Sequence, residues 1–396
     1  MRLIILHNTY QLRGGEDAVV AAEAALLRAA GHAVQVETVS NDRISGLGAK
    51  LRAFHSAPYN RACKRWVADL VSSTGAELIH IHNFFPLLTP AVHEGAAERG
   101  VAVVQTLHNY RLLCANALFL RNGRICQKCL HGSKVWGIAH RCYRGSLPAS
   151  LAVVRMQWRA QRHQTWHRQV HRFIALTEFA RGMFAAGGLP AERIAVKPNF
   201  VSDPKLTRRP REQRQGALFV GRLAEEKGVD VLINAWKHLP DIPLTIVGDG
   251  PERARMQSKA PSNVRLLGSR PAQEVRAQMA AAQCLVVPSI WHEPFGMVAI
   301  EAFAVGRPVI ASRIGALAEL VTDQMTGWHF TPGDPESLAE VMREAFANHT
   351  RLAEMGRNAR RAWQQCYSPE KNLAQLEAIY KEALGESGRK LTDHRI

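Results

Sequence analysis

Along the first half of the chain, short aliphatic and β-branched runs alternate with longer stretches whose apolar positions recur at helical spacing. The runs are RLIILH (2 to 7), HAVQVETV (32 to 39), ELIHIHN (77 to 83), VAVVQTLH (101 to 108), RFIALT (172 to 177) and RIAVKPN (193 to 199). Between the first two lies EDAVVAAEAALLRAAGH, which has helical periodicity and Gly31 placed as a C-terminal stop. Strands alternating with helices predict parallel sheet built from βαβ units. A linker rich in Pro and charge, NFVSDPKLTRRPREQRQ (199 to 215), interrupts the rhythm. It then restarts with GALFVGR (216 to 222), LTIVGDG (244 to 250), VRLLG (264 to 268), CLVVPS (284 to 289) and PVIAS (308 to 312). From about Asp334 onward helical stretches dominate. The pattern predicts an α/β protein of two doubly wound domains facing a common cleft, one over 1–200 and one over 216–370, with a C-terminal helix and tail over 371–396. A length of 396 residues suits two domains better than one.

Composition adds two things. No run of about 18 apolar residues could cross a bilayer, and the apolar segment of MRLIILHNTY is too short for a secretory signal, so a cytoplasmic location is expected. The formal net charge is +17 and it is uneven: residues 1–200 hold 25 Lys/Arg against 11 Asp/Glu, the remainder 26 against 23. Such a basic first half suits an anionic membrane surface or a nucleic acid, or reflects a high proteome pI with no special partner.

In doubly wound sheets ligands sit at the carboxyl ends of strands, and the informative residues lie there. LFVGRLAEEKG ends a strand at Gly221-Arg222 and reaches Lys227 at a predicted helix start, where backbone N–H groups, helix dipole and cations all favour a phosphate. IVGDGPE supplies a second glycine-rich strand end at Gly248 and Gly250; neither segment fits the P-loop or the dinucleotide fingerprint. In WHEPFGMVAIEAFAVGRP, Glu293 falls in a loop and Glu301 inside the helix predicted for GMVAIEAFAVG. Eight helical positions span on the order of 12 Å, more than the roughly 5 Å between the carboxyls of a retaining glycosidase. Two carboxylates so placed suit the gripping of hydroxyls at either end of a ligand whose phosphates meet the amides between them.

Glu293-x7-Glu301 within PSIWHEPFGMVAIEAFAVGRPVIAS, with GRLAEEKG and VGDGP upstream, resembles the donor-binding half of the retaining glycosyltransferases of family four. The resemblance implies the GT-B architecture of two Rossmann-like domains and a deep cleft, no metal in catalysis, and sugar transfer from a nucleotide-diphosphate sugar. It implies that Arg222 and Lys227 bind the diphosphate, Glu301 the ribose hydroxyls and Glu293 the transferred sugar, with Gly221, Gly248 and the amides of Phe295, Gly296 and Met297 against the donor. In the first half, Gly14 and Gly15 of RGGED match the family's glycine-rich loop, and His108 of TLHNY its histidine near the donor sugar. His80 and His82, inside a strand, read as core or lining residues. Ala316 stands beside Gly315 where relatives often have a second glycine, and Glu319 is a weaker candidate. Relatives commonly act on undecaprenyl-type lipid-linked sugars, so a lipid-linked saccharide acceptor in polysaccharide or lipopolysaccharide synthesis is expected.

Two features lie outside that pattern. Cys114, Cys126, Cys129 and Cys142, in a Gly- and basic-rich segment over 114–142, have spacing compatible with a structural zinc, with buried or redox-active thiols as the alternative. RMQWRAQRHQTWHRQVHR (155 to 172) mixes Arg, His and Trp as a helix lying on anionic headgroups at the inner face of the cytoplasmic membrane would. A basic, non-enzymatic nucleic-acid binder is the competing class, but it leaves Glu293 and Glu301 unexplained and lacks a recognition motif, so no nucleic acid is expected. A GT-B epimerase or phosphorylase is the alternative within the fold.

Overall fold

The computed structural model describes residues 1–9, 14–204 and 214–393. It divides into two compact units: Met1–Phe119, Cys126–Lys197 and the chain from Leu373 form the first, and Leu120–Ile125 with Pro198–Asn372 the second. In chain order the strands are β1 (Arg2–Thr9), β2 (Ala33–Ser40), β3 (Leu78–Asn83), β4 (Ala102–Thr106), a hairpin of β5 (Leu120–Arg121) and β6 (Arg124–Ile125), β7 (Arg172–Ala175) and β8 (Ile194–Val196). After the linker come β9 (Ala217–Val220), β10 (Leu244–Val247), β11 (Val264–Gly268), β12 (Cys284–Val287), β13 (Val309–Ser312) and β14 (Gly327–Phe330).

The first unit's sheet runs β2-β1-β3-β4-β7-β8 and the second's β11-β10-β9-β12-β13-β14. Pairing within both is parallel, as the alternating pattern predicts. Central strands covered by helices on both faces become near-continuous apolar runs; every residue of β3 and β12 is buried. In each sheet the order reverses at one place, between β1 and β3 and between β9 and β12, and there the strand ends open a crevice for a ligand.

The boundaries differ from the expectation at two points. The C-terminal helix, Pro369–Asp393, is no separate tail: from Leu373 it belongs to the first unit, where Leu376, Ile379, Tyr380 and Ala383 pack with Leu3, Ile5, Leu78 and Ala102. Its apolar stripe repeats at three and four residues, and burial of that stripe against β1, β3 and β4 assigns the helix. Residues 120–125, inside the expected cysteine-rich insertion, group with the second unit. Part of the linker, 205–213, lies outside the described residues, as does Arg13 of RGGED.

Leu376 is fully buried, so Leu376→Ala should cost about 2–5 kcal/mol of stability in urea unfolding, as buried leucine truncations do. A loss under about 1 kcal/mol, within the range of surface substitutions, would contradict this packing.

Candidate functional site

In the second unit, β9 ends at Val220 and Gly221 and Arg222 follow at the reversal point. Gly248, after β10, has φ +147°, and a Cβ there would lie 1.9 Å from the Gly221 carbonyl oxygen, so these two strand ends meet only through glycine. Lys227 closes a short 3-10 turn, Glu225–Lys227, and the helix proper is Val229–Trp236, so the lysine precedes the helix rather than opening its first turn. Arg222 is exposed and pairs with Glu226 on the same turn.

Lys227 Nζ donates to Glu293 Oε1 at 2.7 Å, and Ser289 Oγ donates to the same oxygen at 2.5 Å. Glu293 is buried, yet among the described residues its Oε2 accepts nothing. The helix expected around Glu301 is Met297–Ala304, with Gly296 as its N-cap. The amides of Phe295, Gly296 and Met297 donate no hydrogen bond among the described residues, so this buried helix start presents unmet donors and the positive end of a dipole. Burial raises the Glu301 carboxyl to about 7, Arg276 pulling the other way. Gly315, at φ +56°, lets its backbone approach His292, whose Cα a Cβ would meet at 2.9 Å; Ala316 beside it is buried without such a demand. Glu319 lies exposed on the helix Gly315–Leu320.

In the first unit the polar groups collect where β1, β3 and β4 end. Gly14 caps the helix Gly15–Ala29, and its N–H donates to Asp17 Oδ2 at 2.8 Å, while Asp17 Oδ1 meets His7 Nε2 at 2.8 Å. Asp17 thereby ties the glycine turn to β1. His80 is core: its Nδ1 meets the Tyr380 hydroxyl at 2.8 Å and its Nε2 the Thr106 hydroxyl at 2.7 Å. His82 is buried as well, its Nδ1 at 2.8 Å from Nε2 of His108. Beneath them Glu23 and Lys197 form an ion pair with side chains at 1% and 0% exposure. Burial by itself raises the Glu23 carboxyl, but Lys197 and then His80 bring it below the usual carboxylate range. Burial holds His80 and His82 well below the ordinary histidine value and takes His108 to about 3.

Glu23 and Lys197 escaped the sequence reading. The signal was there for Glu23, a charge on the buried face that also carries Val19, Val20 and Leu27 of its helix. Nothing local marks Lys197, whose partner is 174 residues away.

One expectation changes, that of a single surface helix over 155–172. Glu23, His80 and His82 are the one group of three among the described residues whose ligand atoms lie within 4.8 Å of one another, and there Lys197 already supplies the cation. No three of Cys114, Cys126, Cys129 and Cys142 bring their sulfurs within 4.8 Å of one another. Burial raises the Cys114 and Cys129 thiols, Cys114 Sγ donates to Asn116 Oδ1 at 3.0 Å, and Lys134 Nζ caps the Leu113 and Cys129 carbonyls at 2.8 and 2.7 Å. The stretch 155–172 is not one surface helix. The helix Leu147–Arg162 ends there, Gln164 turns at φ +50°, and Trp166 of the next helix is buried against Phe84 and His93. Its Val154, Met156 and Ala160 face the core, leaving Trp158 and Arg162 outside. Among the described residues no helix is long and apolar enough to cross a membrane.

The model of the Glycosyltransferase Family 4 domain matches residues 13–203, and that of Glycosyl transferases group 1 matches residues 207–362. The chain belongs to glycosyltransferase family four. Its fold is that of GT-B members: TM-score 0.69 to Anabaena HepE, solved with UDP, at 20% identity over 96% of this chain and 100% of that one, and 0.70 to sucrose-phosphate synthase of Thermosynechococcus elongatus, at 19% identity over 98% and 100%. A curated relative, an uncharacterized glycosyltransferase of Methanocaldococcus jannaschii, is 35% identical over 169 residues, 42% of this chain and 47% of the relative. The lipopolysaccharide 1,2-N-acetylglucosaminetransferase of Salmonella typhimurium is 29% identical over 191 residues, 41% of this chain and 50% of the relative. The chain thus spans half or less of the length of these curated relatives.

Because His80, His82, His93 and His108 stay neutral in the native state, an unfolded chain takes up protons below about pH 6.5 that the folded one refuses. Glu301 acts oppositely, binding a proton more readily when folded, but it is one group against four. Stability should therefore fall as pH drops from 7 to 5, read as a lower urea midpoint; a midpoint that rises over that interval would contradict the neutral cluster. Lys197→Met strands the Glu23 charge and should cost about 3–5 kcal/mol in the same measurement.

Proposed function

We propose that this protein is a retaining glycosyltransferase that moves a sugar from a nucleotide-diphosphate sugar to a lipid-linked or glycan acceptor, in the assembly of a cell-surface polysaccharide or lipopolysaccharide. One observation carries the reading. At the reversal point of the second sheet, Lys227 and a free oxygen of buried Glu293 stand beside the uncommitted amides of 295–297. Cation and amides suit a diphosphate; the Glu293 Oε2 suits the hydroxyls of a saccharide.

In this reading the donor's diphosphate engages Lys227, Arg222 and the helix start at Met297. Negative charge grows on the leaving diphosphate as the sugar–oxygen bond breaks, and these donors stabilise it without moving. The leaving phosphate takes the acceptor's proton on the face it vacates, which retains the anomeric configuration and asks for no metal. Glu301, as a carboxylate, accepts the two ribose hydroxyls. The basic excess of residues 1–200 suits an acceptor carried on an anionic surface. The UDP complex of HepE makes uridine diphosphate sugars the first donors to try.

Slow hydrolysis of UDP-, GDP- and ADP-sugars by the purified protein tests the reading directly, and turnover of none of them argues against it. Lys227→Ala should lower turnover by about 10²–10³-fold, as loss of a charge-stabilising donor does, with the fold intact by circular dichroism. Glu301 must be ionised to accept both hydroxyls, so with its carboxyl at about 7 donor affinity should be about tenfold weaker at pH 6 than at pH 8. Glu301→Gln should bind weakly and flatten that profile, as measured by calorimetric titration.

A further inference from the structure

The first unit holds a polar chain of four residues. Lys197 pairs with Glu23 through Oε1. Among the described residues the other oxygen, Oε2, has no hydrogen-bond partner, and neither has Nε2 of His82; both atoms are buried, and they face each other at 3.5 Å. The remaining nitrogen of His82, Nδ1, lies 2.8 Å from Nε2 of His108. Nδ1 of His108, a half-buried residue, has no partner among the described residues and is not among the buried unsatisfied atoms, so it reaches the surface.

These contacts leave one consistent arrangement of protons. A carboxylate only accepts. A bare His82 Nε2 against Glu23 Oε2 would set two buried lone pairs against each other, the costly case for buried polar groups. His82 therefore carries its proton on Nε2, directed at Glu23, and its Nδ1 must accept. His108 must then donate through Nε2–H, leaving Nδ1 bare.

We propose that Glu23 and His82 are positioning residues that set the tautomer of His108, so that its Nδ1 is a bare acceptor for a hydroxyl hydrogen of a bound saccharide. Lys197 keeps Glu23 ionised, which is what makes the direction of the chain definite. His80, tilted against His82 at 4.1 Å between ring centres, is spent on Tyr380 and Thr106 and offers no competing donor. His7, at 6.5 Å edge-on to His82, is held by Asp17. The desolvation that keeps His82 and His108 neutral near neutral pH is consistent with this, since a neutral ring has a tautomer to choose. The tautomer follows from the first unit alone; its use toward a saccharide rests on the proposed sugar transfer.

The test is long-range proton–nitrogen NMR on the full chain labelled with nitrogen-15 histidine, near neutral pH, with His108 assigned by the signals lost in His108→Gln. The wild type should show His108 protonated on Nε2. Glu23→Leu combined with Lys197→Met removes the acceptor and both charges together, and should shift His108 to the Nδ1–H form. Glu23→Gln combined with Lys197→Met restores an oxygen that accepts from His82, and should restore Nε2–H. For hydrolysis of UDP-glucose, the Leu/Met variant should lose about tenfold in kcat with KM within about twofold, and the Gln/Met variant should recover it, the size of one hydrogen bond. His108 protonated on Nδ1 in the wild type, or still on Nε2 in a folded Leu/Met variant, overturns the relay; should that variant not fold, the wild-type spectrum decides. A tautomer that shifts while kcat does not overturns the saccharide contact, and a shift with no UDP-glucose turnover in the wild type overturns only the transfer reading.

Discussion

A carboxylate and an ammonium removed from water together constrain the first unit more than any apolar contact. Glu23 comes from the helix after β1 and Lys197 from the end of β8, and neither could be buried without the other. Their pairing brings a helix and a distant strand end to the place where the sheet order reverses, and it defines the electrostatics there. Around it desolvation keeps His82, His108 and His80 neutral, with both nitrogens of His80 bonded and Nδ1 of His82 facing Nε2 of His108. Burying such a network is expensive per group, and in a fold that could have used leucines it points to selection for what the strand ends present rather than for stability.

The second unit meets the same topological constraint with the opposite solution. Its reversal point is lined by groups that are only partly satisfied: a glutamate with one free oxygen, three uncommitted amides at a helix start, and a second glutamate whose burial holds its proton. Lys227 spans to Glu293 and so keeps that buried carboxylate compensated while leaving half of it available. Such a surface is costly to leave dry and empty, and a ligand bearing phosphates and vicinal hydroxyls satisfies each of its groups by its own chemistry.

Much of this was legible in one dimension. The strands of both six-stranded sheets follow from aliphatic runs except β14, whose GWHF carries no alternation, and the separate hairpin β5–β6 is too short to show periodicity. The residues at the second sheet's reversal point were legible because a glycine–cation turn and two acids eight apart are local patterns whose geometry a loop and a helix impose. The cysteine spacing was equally local, and spacing does not show burial, which raises the Cys114 and Cys129 thiols. The Arg–Trp stretch misled for a related reason: Trp166 suits a headgroup region and a core alike, and contact with Phe84 and His93 chose the core.

What the chain determined by itself is periodicity and local chemistry: which segments are strands, which helices, and where glycines and charges punctuate the strand ends. These depend on neighbours a few residues apart. Only the tertiary structure decided that Glu23 meets Lys197 across 174 residues, that His82 touches His108 rather than solvent, and that the last helix closes the first unit through Tyr380 and His80. Desolvation is the reason, because a side chain's charge, tautomer and partner are set by what excludes water from it, and that is a property of the assembled fold.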